Sequence, residues 1–162
     1  MTPRILISSC LMGTPVRHDG RARTLHHILL QDWQRRALLV PLCPEGLGGL
    51  PTPRAPAEIE PGATADDVLA GTARILAADG TDLTAPFLVG ARQTLRHAQA
   101  QGCRFALLTD GSPSCGVTVV YGGMHDGQRR AGAGVTAALL ARNGITVFAP
   151  QQIDQLADAL PD

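Results

Sequence analysis

Four cysteines stand at positions 10, 43, 103 and 115, and their surroundings divide them into three and one. Cys10 is followed by Leu11-Met12-Gly13, Cys43 by Pro44, and Cys115 by Gly116, so these three sit in loop-forming contexts. A thiolate is a soft donor that suits zinc or an iron–sulfur cluster. A closed structural zinc site usually takes four protein ligands, so three cysteines without a fourth point to an open coordination position and to catalysis. The competing reading is that each cysteine is a small buried core residue, the commonest role of an unpaired cysteine. Cys103 fits that second role best: it follows Gly102 and leads straight into the apolar run Phe105–Leu108.

The other reactive side chains are fewer than usual. All fourteen Lys+Arg residues are arginine, so a Schiff-base lysine or lysine general base is excluded. Glu45 lies two residues beyond Cys43, and Ser112 and Ser114 flank Pro113 just before Cys115. His18-Asp19 follows Cys10 in the same loop, whereas His26, His27 and His97 fall on predicted helices and read as surface groups. Arg17 and Arg54 are candidates for meeting a phosphate, should the ligand carry one. Backbone amides of the glycine-rich stretches Tyr121-Gly122-Gly123 and Gly132-Ala133-Gly134 could also approach an anion, particularly where Gly134 opens a helix.

Three distant cysteines meet only if the fold brings them together. The run Arg4–Ser8 is short, apolar and rich in isoleucine and leucine, as expected of a parallel strand buried on both faces. Residues 24–36 carry Leu25, Ile28, Leu29 and Trp33 on one helical face, and Arg35-Arg36 suits the last turn. Residues 37–42 read as a second strand, with Pro41 favouring a strand end over a central pairing position. Residues 44–65 are rich in proline and glycine and are expected to form a long active-site loop. Further on, 72–77 with Asp79-Gly80 suggests a small hairpin, 84–101 a helix stopped by Gly102, and 105–108 a buried strand. One short strand over 117–121, a helix over 135–142, a strand over 145–148 and a closing helix over 151–160 complete the pattern.

Alternating strands and helices predict a single α/β domain over 1–162: an open, mostly parallel, Rossmann-like sheet with helices on both faces. In such a sheet ligands bind beyond the carboxyl ends of the strands. Cys10, Cys43 and Cys115 all follow strands there, and Cys103 precedes its strand at the opposite edge. Convergence of the three is therefore a topological expectation, with the metal left open.

Composition sets outer limits. With 162 residues, 44% hydrophobic and 17% charged, the chain can bury a core. Its formal net charge of zero gives no polybasic surface for long nucleic acid or an anionic membrane. No apolar run reaches the length of a bilayer span, and Ile5-Leu6-Ile7 is too short for a secretory signal core. A cytoplasmic location is expected, where thiols stay reduced and disulfides are rare.

The segments Ser8-Ser9-Cys10-Leu11-Met12-Gly13, Val16-Arg17-His18-Asp19-Gly20, the run 40–54 around Cys43-Pro44-Glu45-Gly46, and Ser112-Pro113-Ser114-Cys115-Gly116 occur together. With Gly134-Val135-Thr136-Ala137-Ala138-Leu139-Leu140 and Asn143-Gly144-Ile145, this combination resembles the thiouracil desulfidase family over nearly the whole chain. The resemblance implies a [4Fe–4S] cluster held by Cys10, Cys43 and Cys115, with one iron open for the sulfur of a thiolated uracil base or nucleotide. It implies Glu45, and Ser112 or Ser114, as the acid–base groups of a non-redox, Lewis-acid desulfidation that yields uracil and hydrosulfide. An iron–sulfur redox or sulfur-carrier protein is the alternative, and a zinc hydrolase ranks third. Family members often carry a basic residue before the Ser-Pro-Ser motif, where this chain has Thr109-Asp110-Gly111.

Overall fold

A computed structural model describes residues 2–161. In chain order the elements are β1 (Arg4–Ser8), α1 (Ile28–Arg35), β2 (Leu39–Leu42), α2 (Pro44–Leu47), β3 (Ala57–Ile59), α3 (Ala65–Leu69) and β4 (Ile75–Ala77). They continue with α4 (Thr84–Ala100), β5 (Cys103–Leu107), β6 (Val119–Tyr121), β7 (Arg129–Ala131), α5 (Val135–Arg142), β8 (Thr146–Phe148) and α6 (Ile153–Ala159). A four-stranded parallel sheet in the order β2-β1-β5-β8 forms the centre. Pro41 lies in β2, at the sheet's edge, where a missing N–H leaves no gap in a central ladder.

Side chains alternate across this sheet with the period of a strand. Ile5, Ile7, Phe105 and Leu107 pack with Leu30 and Trp33 of α1 and Ile153 and Leu156 of α6. Leu6 and Ala106 point the other way, against Ala98 of α4 and Ala137 and Leu140 of α5. A third cluster joins Ile59, Val68 and Ile75 of the small β3–β4 unit to Phe87 and Ala91 of α4 and Val135 of α5. Among the described residues, no helix is long and apolar enough to cross a membrane.

The differences from the sequence-based expectations have local causes. Helix α1 starts at Ile28 instead of residue 24, because Arg23 and Leu25 donate their amides to the carbonyls of Cys10 and Leu11. His27 caps the shortened helix through Nδ1, which accepts from the Leu29 amide at 3.1 Å. The stretch 44–65 is not all loop: it contains α2 and β3. The turn at Asp79-Gly80 forms, but β4 pairs antiparallel with β3 and meets the following segment only at one bridge, Leu76 to Asp82. Strand β6 starts at Val119 and gains an antiparallel partner, β7, from the segment Arg129–Ala131.

Candidate active site

The three cysteines reach one cavity by three different devices. Cys10 sits in a single 3-10 turn, Ser9–Met12, that directly follows β1 and closes on Gly13 with φ +92°. Cys43 follows β2 and caps α2, its Sγ accepting from the Gly46 amide at 3.5 Å. Cys115 lies in the loop after β5, held where Gly116 donates to the Ser112 carbonyl at 2.9 Å. All three border a cavity of about 100 Å³ together with Glu45 and Ser112. Cys103 is buried at the amino end of β5, away from that cavity.

The thiols feel one another. Burial raises the Cys10 thiol above its ordinary value, and the neighbouring Cys43 raises it further. Burial pushes Cys115 up more strongly, with Glu45, Cys10 and Cys43 adding to it. Burial thus favours the protonated form of Cys10 and Cys115, and a metal must displace those protons to bind. Among the described residues, no three His, Cys, Asp or Glu side chains are placed to grip one metal ion. The thiols are instead spread around a shared space. That donor set, soft and threefold, suits an iron–sulfur cluster.

Glu45 is the second residue of α2, and its carboxylate is fixed at both oxygens. Oε1 accepts from Arg54 Nε at 3.1 Å, and Oε2 accepts from the Ser112 hydroxyl at 3.1 Å. Ser112 Oγ in turn accepts the amides of Ser114 at 3.0 Å and Cys115 at 3.2 Å. Its two acceptor positions are thus filled from the Cys115 loop, which aims its one proton at Glu45. Ser114 is placed differently: it is 1% exposed, and its Oγ pairs with Thr136 Oγ1 of α5 at 2.7 Å. Of the two serines, only Ser112 borders the cavity.

Arg54 uses four of its five guanidinium N–H groups inside the protein. Its side chain is 6% exposed, and besides Glu45 it donates to the carbonyls of Pro51 and Val16 and to Thr52 Oγ1, all at 3.0–3.1 Å. Arg17 and His18 border the cavity, while Asp19 accepts the Arg21 amide in a surface turn. His26 and His97 are exposed. The amides at the start of α5 do not face an anion either. Gly134, Val135 and Thr136 donate to the carbonyls of Gly116, Pro113 and Ser114, at 2.8–2.9 Å. A Cβ at Gly134 would overlap the Ser114 backbone, so this glycine permits close packing behind the Cys115 loop.

Asp110 explains the acidic residue before the Ser-Pro-Ser motif. Its Oδ1 accepts the amides of Val117, Thr118 and Val119 at 2.8–3.1 Å, and its Oδ2 accepts the Thr118 hydroxyl. Burial alone would raise this carboxyl, but those hydrogen bonds outweigh it and bring the pKa down to about 2. A cation still arrives there: Arg23 donates to Thr109 Oγ1 at 3.3 Å and to the Asp110 carbonyl at 3.2 Å, and borders the cavity. Arg23 and Arg129 are cavity residues that sequence reasoning did not single out, and Tyr121, named there only for its stretch of backbone amides, brings its side chain to the cavity. No motif marks them, because each reaches the cavity through a loop or hairpin whose path is set by tertiary hydrogen bonds.

Three comparisons bear on this geometry. The sequence profile of the 2-thiouracil desulfurase family matches residues 5–152. An uncharacterized protein of Bacillus subtilis (strain 168), YbbK, is 40% identical over 152 residues, covering 94% of this chain and 99% of that protein. The solved structure of the [4Fe-4S]-dependent thiouracil desulfidase TudS superposes with a TM-score of 0.88 at 42% identity, covering 97% of both chains.

Proposed function

The chain belongs to the 2-thiouracil desulfurase family, and on that premise we propose that it is an iron–sulfur-dependent enzyme that removes sulfur from a thiolated uracil base or nucleotide. The observation that carries this reading is the meeting of Cys10, Cys43 and Cys115 with the Glu45–Ser112 pair at one cavity. The solved relative at 42% identity is a [4Fe-4S]-dependent thiouracil desulfidase. In this chain Cys10, Cys43 and Cys115 would hold the cluster. When bound, the cluster would supply an open, soft Lewis-acidic iron for the thiocarbonyl sulfur.

The protein's own groups handle the protons. Glu45, oriented by Arg54, takes a proton from the attacking water. The Ser112 hydroxyl relays that proton: it gives its own to the ring nitrogen as negative charge grows there and takes the one Glu45 has gained. Water supplies the oxygen of the new carbonyl and sulfur leaves as hydrosulfide, so no net electron transfer is needed. Arg17 and Arg23 border the cavity and would favour a nucleotide's phosphate over a neutral extension. The expected compartment is the cytoplasm, and the partner is a small molecule in place of long nucleic acid.

Incubation of the anaerobically reconstituted protein with 2-thiouracil, 4-thiouracil and 4-thiouridine monophosphate tests the reading. Equal amounts of sulfide and desulfurated product should appear without an electron donor. Glu45→Gln should lower kcat by about 100-fold or more. No sulfide from any of the three sinks the reading. Indifference to the Glu45 change would favour a cluster that carries sulfur or electrons for a partner.

A further inference from the structure

The chain has one Trp, one Tyr and three Phe. Trp33, Phe87, Phe105 and Phe148 are buried in the core. Tyr121, at the end of β6, instead borders the cavity that holds Glu45 and Ser112. It faces Arg129 across the β6–β7 ladder, and the guanidinium carbon lies 5.4 Å from the ring centroid. The ring also abuts Gly111: a Cβ there would sit 3.6 Å from Tyr121 Cε2. Gly111 immediately precedes Ser112, so the ring packs beside the segment that carries this serine. None of the ion pairs among the described residues includes Arg129, so its guanidinium has no carboxylate to draw it off the ring.

We propose that Tyr121 and Arg129 form a stacking platform for the pyrimidine ring of the substrate. The proposal rests on the reading of this site as one for a thiolated uracil. A flat heteroaromatic base gains affinity by lying against an aromatic ring or a guanidinium plane. The Arg129 contact limits the tilt of the Tyr121 ring, so less motion is lost when the base arrives. Because the platform contacts the ring and not the leaving sulfur, it holds ground state and transition state alike. It governs KM more than kcat.

The test compares Tyr121→Leu, which keeps apolar bulk without a π face, Tyr121→Phe, which keeps the ring, and Arg129→Gln, all as cluster-loaded protein. KM and kcat are measured with 2-thiouracil, and the Kd of the product uracil by calorimetry without turnover. Tyr121→Leu should raise both KM and Kd about tenfold, equivalent to about 1.4 kcal/mol, within the range of base stacking. Its kcat should change far less, and Tyr121→Phe should restore tight binding. Arg129→Gln should weaken binding in the same direction by a smaller factor, which keeps the test decisive if Tyr121→Leu does not load its cluster. Unchanged KM and Kd in both Tyr121→Leu and Arg129→Gln would overturn the platform. So would equal losses in Tyr121→Phe and Tyr121→Leu, which would assign the effect to the hydroxyl. Wild-type protein that binds uracil but releases no sulfide would refute the reaction alone. Wild-type protein that does not bind uracil would refute the platform.

Discussion

Ser112 and Ser114 lie two residues apart around one proline, yet their hydroxyls point into different environments. Ser112 donates to Glu45, whereas Ser114 is tied to Thr136 inside the protein. Replacing Ser112 by Ala removes a proton donor at the site and should lower kcat by about 100-fold, and it also costs stability because the Ser114 and Cys115 amides lose their acceptor. Replacing Ser114 by Ala removes a buried hydrogen bond and should cost about 1 kcal/mol of stability, with kcat of the folded protein nearly retained. Steady-state kinetics on the two variants separates these roles, thermal melts check the stability costs, and the reverse kinetic pattern would exchange the roles. The sequence marks both serines equally, because proximity to Pro113 and Cys115 says nothing about where a hydroxyl points. The cysteines were more legible, since a residue just past a buried strand has few places to go.

At the scale of elements, the site depends on backbones that approach closely. A Cβ on Gly48 would run into the Pro86 carbonyl, and one on Gly90 into the Pro44 carbonyl, so α2 and α4 touch main chain to main chain. Gly90→Ala should therefore push α2 outward, costing about 1–3 kcal/mol and displacing Cys43 and Glu45. Unfolding midpoints and iron content should fall together; an unchanged iron content would mean the packing does not set the site. The stretch 44–65 reads as loop because proline and glycine usually break helices. Pro44 instead occupies the first turn of α2, where its missing N–H costs nothing, and Cys43 caps it. Strand β7 escaped notice for a related reason: Arg129-Arg130-Ala131 lacks apolar alternation and is specified by its ladder to β6.

The loop between β5 and β6 offers a pH test at the same scale. Folding lowers the Asp110 carboxyl from its ordinary 3.8 to about 2. A depressed carboxyl stabilises the fold above its unfolded pKa, and that contribution is lost as pH falls through the folded pKa. Wild-type protein should therefore lose stability more steeply than Asp110→Asn between about pH 4 and pH 2 in urea titrations. Parallel losses would show that Asp110 does not hold the loop.

For the whole molecule, the sheet order β2-β1-β5-β8 does the assembling. Adjacent parallel strands β2, β1 and β5 end on the same side, so the segments that follow them deliver Cys43, Cys10 and Cys115 to one edge. Cys103, at the start of β5, is carried to the other edge by the same geometry. That division was readable from the alternation of apolar runs and helical faces. The Glu45–Ser112–Arg54 network was not, because it joins residues 67 positions and 9 positions apart through side-chain angles that no periodicity encodes. The most direct test of the three-cysteine site is the iron and acid-labile sulfide content per chain after anaerobic reconstitution, for wild type and each Cys→Ser variant. Wild type and Cys103→Ser should hold four irons and four sulfides per chain, and Cys10→Ser, Cys43→Ser and Cys115→Ser should each lose them. Full retention in any of those three, loss in Cys103→Ser, or zinc without labile sulfide in the wild type would contradict the assignment.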